Sequence, residues 1–216
     1  DAFLSKYDPD GNQKWTQLLG SSDTDQAHAL TTGSDGSIYI AGYTYGGLDG
    51  QSTSGGSDAF LTKYDADGTK SWTQLLGTGE FDMANALTTG SDGSIYIAGT
   101  TKGNLDGQEN SGGALDALLS KYDADGTKSW TQLLGTGEFD MANALTPGSD
   151  GSIYIAGATA GNLDGQTHSG SRDAYLTKYD AAGTKDWTKL LGTTSDDSAY
   201  ALTTGSDGSI YIAGIT

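Results

Sequence analysis

A carboxylate stands at the same place in three long glycine- and asparagine-rich segments: Asp49 in "GGLDGQSTSGGSD", Asp106 in "GNLDGQENSGGALD" and Asp164 in "GNLDGQTHSGSRD". A glycine and then a glutamine follow each of them, giving Gln51, Gln108 and Gln166. Such loops offer carboxylate, amide and carbonyl oxygens, the ligands a hard cation gathers, so calcium at Asp49, Asp106 and Asp164 is one expectation. The other is an aspartate that caps its own loop by accepting backbone hydrogen bonds. The fuller G-G-x-G-x-D calcium repeat is not met.

A second set, Asp25, Asp82, Asp140 and Asp197, precedes a segment of small residues such as "ANALT". Arranged about an axis these would form a ring of carboxylates able to hold a cation or a polar ligand. Alternatively each bonds backbone amides at the strand entrance and locks adjacent blades. "DADG" at Asp65 and Asp123 opens like a calcium loop but lacks the later ligands and distal glutamate of an EF-hand. The second acid is also replaced by Ala182 in the last copy, which favours a plain turn.

Catalytic groupings are scarce. His28 and His168 are the only histidines and stand at non-equivalent places, there is no cysteine, and no glycine-rich phosphate loop leads into a helix. No enzyme is expected, hydrolysis by paired carboxylates being the remote alternative. The tryptophans could stack on a sugar ring, with Asp, Asn and Gln bonding its hydroxyls, or serve as core. Tyr43 and Tyr45 occur in the first unit only.

The formal charge is −17, from 28 acidic and 11 basic residues. Only Glu80, Glu109 and Glu138 are glutamates; the remaining acids are aspartates, which suit turns. Such a surface repels phosphate backbones and anionic headgroups, so neither nucleic-acid binding nor membrane insertion is expected. No apolar run long enough for a membrane helix occurs. The chain opens on Asp1 without a signal-peptide pattern, which reads as a mature product or a piece of something longer.

What positions these residues is a repeat. Trp15, Trp72, Trp130 and Trp187 are spaced 57, 58 and 57 residues apart, each beginning "WT[QK]LLG". "DAFLSKYD" at Asp1 returns as "DAFLTKYD" at Asp58, "DALLSKYD" at Asp116 and "DAYLTKYD" at Asp173. "GSDGSIYIAG" begins at Gly33, Gly90, Gly148 and Gly205. Lys63 to Thr88 and Lys121 to Thr146 are identical, so this stretch reads as a repeated joint.

Each unit reads as four short strands. In the second these are Met83 to Thr89, Ser94 to Thr100, Asp116 to Tyr122 and Lys128 to Leu134, separated by "GSDG", the long loop and "DADG". Most strands are apolar on both faces, and the "ANALT" strand is made of small residues that fit a crowded axis. The expectation is an all-β fold, a β-propeller of four-stranded antiparallel blades in four repeats of about 57 residues.

The pattern "DAFLTKYDADGTKSWTQLLG…DMANALTTGSDGSIYIAGTT" resembles the bacterial and archaeal SBBP repeat family. The resemblance implies a propeller, by the family's name a seven-bladed one, in a secreted or cell-surface protein. It carries over no catalytic residues. This chain departs from it in having four units. Whole blades are expected at 26–77, 83–135 and 141–192, with 198–216 and 1–20 combining into a composite fourth blade that closes a ring. Association with a second copy through shared blades is the alternative. The functional expectation is a non-catalytic structural or interaction module with a protein or glycan partner; a lectin-like or calcium-dependent propeller using the long loops stands beside it.

Overall fold

The computed structural model describes residues 1–216 and consists of sixteen strands joined by turns and loops, with no helix. The strands are β1 (Ala2–Tyr7), β2 (Gln13–Leu19), β3 (Asp25–Thr32), β4 (Ile38–Thr44), β5 (Asp58–Tyr64), β6 (Lys70–Leu76), β7 (Asp82–Thr89) and β8 (Ile95–Thr101). They continue with β9 (Asp116–Tyr122), β10 (Lys128–Leu134), β11 (Asp140–Pro147), β12 (Ile153–Thr159), β13 (Asp173–Tyr179), β14 (Lys185–Leu191), β15 (Ser198–Thr204) and β16 (Ile210–Ile215). The four strands expected for the second unit match β7 to β10 to within a residue at each end.

β3 to β6, β7 to β10 and β11 to β14 are three four-stranded antiparallel sheets in chain order, the meander of a propeller blade. Turn chemistry sets their register. In the "GSDG" turn of the second whole sheet, Gly93 takes φ 82° and the Ser94 amide donates to Asp92 Oδ1 at 3.0 Å. In the "DADG" turn of the first, Gly68 takes φ 92° and the Thr69 amide donates to Asp67 Oδ1 at 2.9 Å, so this motif is a hairpin turn.

β3, β7, β11 and β15 pack on one another in succession and are the innermost strands. Each contains a bulge: the pairing of β7 with β8 slips between Ala84 and Ala86, passing over Asn85. The bulge brings the two backbones together opposite Gly99, where a Cβ would overlap the Met83 carbonyl oxygen. Gly42, Gly157 and Gly214 meet the same obstacle in their own units. The glycine of "YIAG" is thus dictated by the bulge in the neighbouring strand.

Both faces of each whole sheet are covered. β8 is buried along its full length, and β5 and β9 at every position but one. The core lies between sheets: Tyr39, Leu61 and Leu76 of one blade pack on Ile95, Ile97 and Leu118 of the next. Tyr96, Leu119 and Leu134 repeat the arrangement against Ile155, Leu163 and Tyr175. This is the two-sided burial read from the strand sequences.

The array does not close within the chain. β1–β2 and β15–β16 are separate two-stranded sheets, so 198–216 and 1–20 are not joined into the expected composite blade. Each half-blade lies against its own neighbour: Ala2 and Leu4 pack on Ile40 and Phe60, and Ala199 packs on Ala156 and Ala174. Packing along the array satisfies one face of each half-blade and leaves the other open. Phe3 is 67% exposed, whereas its counterpart Leu118 is fully buried.

Replacing Gly99 with Ala is expected to lower unfolding free energy by about 2 kcal/mol or more, because the backbone obstacle cannot rotate away. Gly137→Ala, at a site open to solvent space, should change it by less than about 0.5 kcal/mol. Equal losses in urea unfolding of the two variants would contradict the bulge assignment.

Candidate functional site

The long loop runs from the end of the second strand of each blade to the start of the third. In the second whole blade Leu105 is buried between sheets, and Asp106 and Gly107 take φ 52° and 77°. This left-handed pair reverses the chain, which suits aspartate and glycine. The reversal returns Gln108 to the outermost strand β10. There its Nε2 donates to the Thr131 carbonyl at 2.7 Å and its Oε1 accepts from the Leu133 amide at 3.2 Å. One side-chain amide imitates a paired strand on an otherwise bare sheet edge. Gln166 does the same on β14, bonding the Thr188 carbonyl and the Leu190 amide. Gln51 bonds the Thr73 carbonyl at 2.7 Å.

The aspartates of this loop are not brought together. Each faces the lysine that opens its own outer strand: Lys128 Nζ lies 2.5 Å from Asp106 Oδ1, Lys70 pairs with Asp49, and Lys185 pairs with Asp164. The second oxygen is also engaged, since Thr131 Oγ1 donates to Asp106 Oδ2 at 2.5 Å and Thr188 donates to Asp164. Burial pushes the Asp49 carboxyl up, but its hydrogen bonds to Lys70 and Thr73 outweigh this and hold it below its ordinary range. An ammonium group therefore sits where a cation bound by these residues would have to reach. Nowhere in the chain do three His, Asp or Glu side chains gather as they would around a metal ion.

Asp25, Asp82, Asp140 and Asp197 open or immediately precede the innermost strands and are all buried. Asp82 Oδ2 accepts from the Thr78 amide at 2.6 Å, and its Oδ1 accepts from the Thr101 hydroxyl across the sheet. Asp140 accepts from the Thr136 amide at 2.6 Å, Asp197 from Thr193 at 2.7 Å, and Asp25 from Ser21 at 2.8 Å. Each carboxylate accepts from the amide four residues before it and so pins the turn through which the chain enters its own blade.

A third set was not singled out from sequence. Asp58, Asp116 and Asp173, the first residues of "DA[FLY]L", are also buried. Asp116 Oδ2 accepts the Ser111 amide at 2.8 Å, while Asp116 Oδ1 is buried without a hydrogen-bond partner. Backbone bonds tie each of these strands to the next blade: the Asp140 amide donates to the Leu115 carbonyl at 2.8 Å, and Asp82 to Ser57 at 2.8 Å. Burial raises the carboxyl pKa of Asp58, Asp82, Asp116 and Asp140, and repulsion from Asp82 and Asp140 adds to the rise at Asp58 and Asp116 respectively. The overlooked signal is the glycine ending "WTQLLG". A Cβ on Gly77, Gly135 or Gly192 would strike the carboxylate of Asp58, Asp116 or Asp173.

The tryptophans belong to the joints. Trp72 is half-buried, packs on Tyr39 with ring centroids 6.1 Å apart, and has Gly126 of the next blade's turn against its indole face. Trp15 and Trp130 meet Gly68 and Gly183 in the same way. The first unit differs from the others at one rim. Tyr43 makes edge contacts with His28 at 5.3 Å and Tyr45 at 5.7 Å and a tilted one with Phe81 at 6.3 Å, and Tyr45 is 46% exposed. The position of Tyr45 is held by Lys102 and Ala160 in the next two units, and Lys102 pairs with Glu80 at 3.1 Å. His28 occupies an inner-strand bulge; its counterpart Asn85 instead donates to the Ala142 carbonyl at 2.9 Å. His168 stays in its loop on Asn162.

The raised carboxyls give a sign to the pH dependence. A folded-state pKa above the unfolded value of 3.8 favours the native state fully below that value, and the contribution is lost as pH rises through the elevated folded values. Asp116→Asn should therefore shallow the loss of stability seen in urea unfolding as pH rises above the ordinary carboxylate range. A slope identical to that of the parent would contradict this assignment.

Residues 14–49 match the family model described as the SBBP β-propeller repeat. The chain is 32% identical over 187 residues to the "Regulatory protein FlaEY" of Caulobacter vibrioides, covering 77% of this chain and 20% of that protein. It is 28% identical over 206 residues to the "Uncharacterized WD repeat-containing protein L264" of Acanthamoeba polyphaga mimivirus, covering 89% of this chain and 13% of that protein. The chain thus spans a fifth or less of the length of these relatives. A crystal structure of a protein of unknown function from Bacteroides caccae shares the fold, with TM-score 0.54 and 9% identity over 94% of this chain and 58% of that one. The sequence pattern of the matched segment recurs in the other units, so the chain carries repeats similar to the SBBP β-propeller repeat.

Proposed function

We propose that the chain is a non-catalytic propeller module that gives a secreted or cell-surface protein a rigid structural and interaction part. One observation carries this reading: the carboxylates repeated in every unit are committed to lysines, threonines and backbone amides that hold blades and loops in place. A side chain used to pin its own loop is poorly placed to move protons for a substrate. Both named relatives are repeat or regulatory proteins by description, which supports interaction over chemistry. The setting outside the cell rests on the resemblance to SBBP repeats. Binding is assigned to the rim where units differ, around Tyr43, Tyr45 and Lys102.

The lectin-like or calcium-dependent reading has one observation in its favour, the exposed Tyr45 beside Tyr43, a surface on which a sugar face could stack. Thermal melting with and without millimolar calcium, together with a glycan panel, separates the two. The interaction-module reading expects no calcium shift in melting temperature and no glycan bound. A saturable calcium shift that disappears in Asp106→Asn, or glycan binding lost in Tyr45→Ala, would overturn it in favour of the second.

A further inference from the structure

On the interaction-module reading proposed above, we infer that the rim of the first whole blade receives an arginine side chain of a partner protein, stacked on Tyr45 and paired with Asp23. The backbone frame is the same in the first two whole blades. The Tyr45 amide donates to the Thr24 carbonyl at 3.0 Å, and the Lys102 amide donates to the Phe81 carbonyl at 2.9 Å. An acid precedes each acceptor, Asp23 in one blade and Glu80 in the other. In the second blade that acid is answered within the chain, since Lys102 Nζ lies 3.1 Å from Glu80. In the first blade a tyrosine holds the position of the lysine, and no lysine or arginine of the chain pairs with Asp23. Asp23 is nonetheless close by: a Cβ on Gly46, the residue after Tyr45, would lie 3.1 Å from Asp23 Oδ2. An exposed carboxylate beside an aromatic ring, with no cation of its own, suits a cation carried by another molecule.

The ring is held ready for such a partner. Tyr45 is exposed and stands at 89° to Tyr43 with centroids 5.7 Å apart, and Tyr43 in turn leans on Phe81 at 6.3 Å. Tyr43 and Phe81 thus back the Tyr45 ring, and a ring already held in place loses little freedom when a ligand stacks on it. The site lies at a joint between two complete sheets. Tyr43 and Tyr45 continue the face of β4 that carries Tyr39 and Ala41, which pack with Ile95 and Ile97 of the second whole blade.

Cations over rings recur within the chain. Lys63 Nζ lies 5.6 Å from the Tyr39 centroid, and the Arg172 guanidinium lies 4.5 Å from that of Phe139, which holds in the third whole blade the entry position that Phe81 holds in the second. A guanidinium fits the Tyr45 and Asp23 pair better than an ammonium does, because it can lie flat on the ring while its N–H edge donates to the carboxylate. The formal charge of −17 adds attraction at longer range for a basic partner.

The test is an NMR titration of the isotope-labelled chain with the capped peptide acetyl-Gly-Arg-Gly-amide. Saturable shifts are expected at the amides of Asp23, Tyr45 and Gly46. They should vanish when the arginine is replaced by citrulline, which keeps the shape and removes the charge. Tyr45→Ala and Asp23→Asn should each weaken binding about threefold or more while leaving the circular dichroism spectrum unchanged. Tyr45→Lys should abolish it, because the chain would then hold at this place the internal pair that Lys102 makes with Glu80. The inference is overturned by an absence of shifts, by equal shifts with the citrulline peptide, by binding unchanged in both weakening variants, or by shifts that survive Tyr45→Lys. None of these results decides the interaction-module reading, which stands or falls on the calcium and glycan measurements.

Discussion

Everything in this molecule depends on the fact that a blade is apolar on both faces and can be covered only by another blade. Ile95 and Ile97 point one way from β8, Tyr96 and Ala98 the other, and all four are buried because sheets lie on both sides. Burying side chains of this size is worth about 1.5–3 kcal/mol each, which a sheet standing alone would forgo. Stability is accordingly a property of neighbours, as in other repeat arrays. The same requirement explains the half-blades: one face of each is protected by the array, and the other still requires a neighbour.

Packing of this kind leaves two polar problems, and the repeated motifs answer them. The first is the bare edge of each outermost strand, which "LDGQ" covers with a buried leucine, a left-handed reversal and a glutamine amide in the role of a strand. The second is the crossing from outer strand to inner strand, where the chain turns sharply beside the next blade. Two buried aspartates meet there, one pinning the incoming turn and the other opening the third strand. Their desolvation is the cost of this joint, and it accounts for the raised carboxyl pKa values of these groups. The large negative charge is thus mostly structural, with lysines such as Lys128 neutralising the loop carboxylates locally.

Much of the fold was legible because its signals are local or strictly periodic. Tryptophan spacing, the "GSDG" and "DADG" turns and two-sided apolar strands specify the blade, and β7 to β10 lie where those signals put them. The site was harder to read because the competition for each carboxylate is settled across strands. That Asp106 meets Lys128 follows from a loop folding back over an outer strand, which no spacing displays. Asp116 was passed over because its partner in meaning, Gly135, lies just past the far end of the neighbouring strand β10. The composite blade was expected from the phase of the repeat and from edge avoidance, but β1–β2 and β15–β16 stand as separate two-stranded sheets, and no local signal in the sequence specifies pairing between them.

Amide hydrogen exchange tests most directly the claim that a blade persists only when both faces are covered. The account predicts that amides of β7, β8, β11 and β12, in sheets covered on both faces, are the most protected. Those of β1, β2, β15 and β16, covered on one face in this chain, should exchange faster. Equal protection of these strands and the central strands would contradict it.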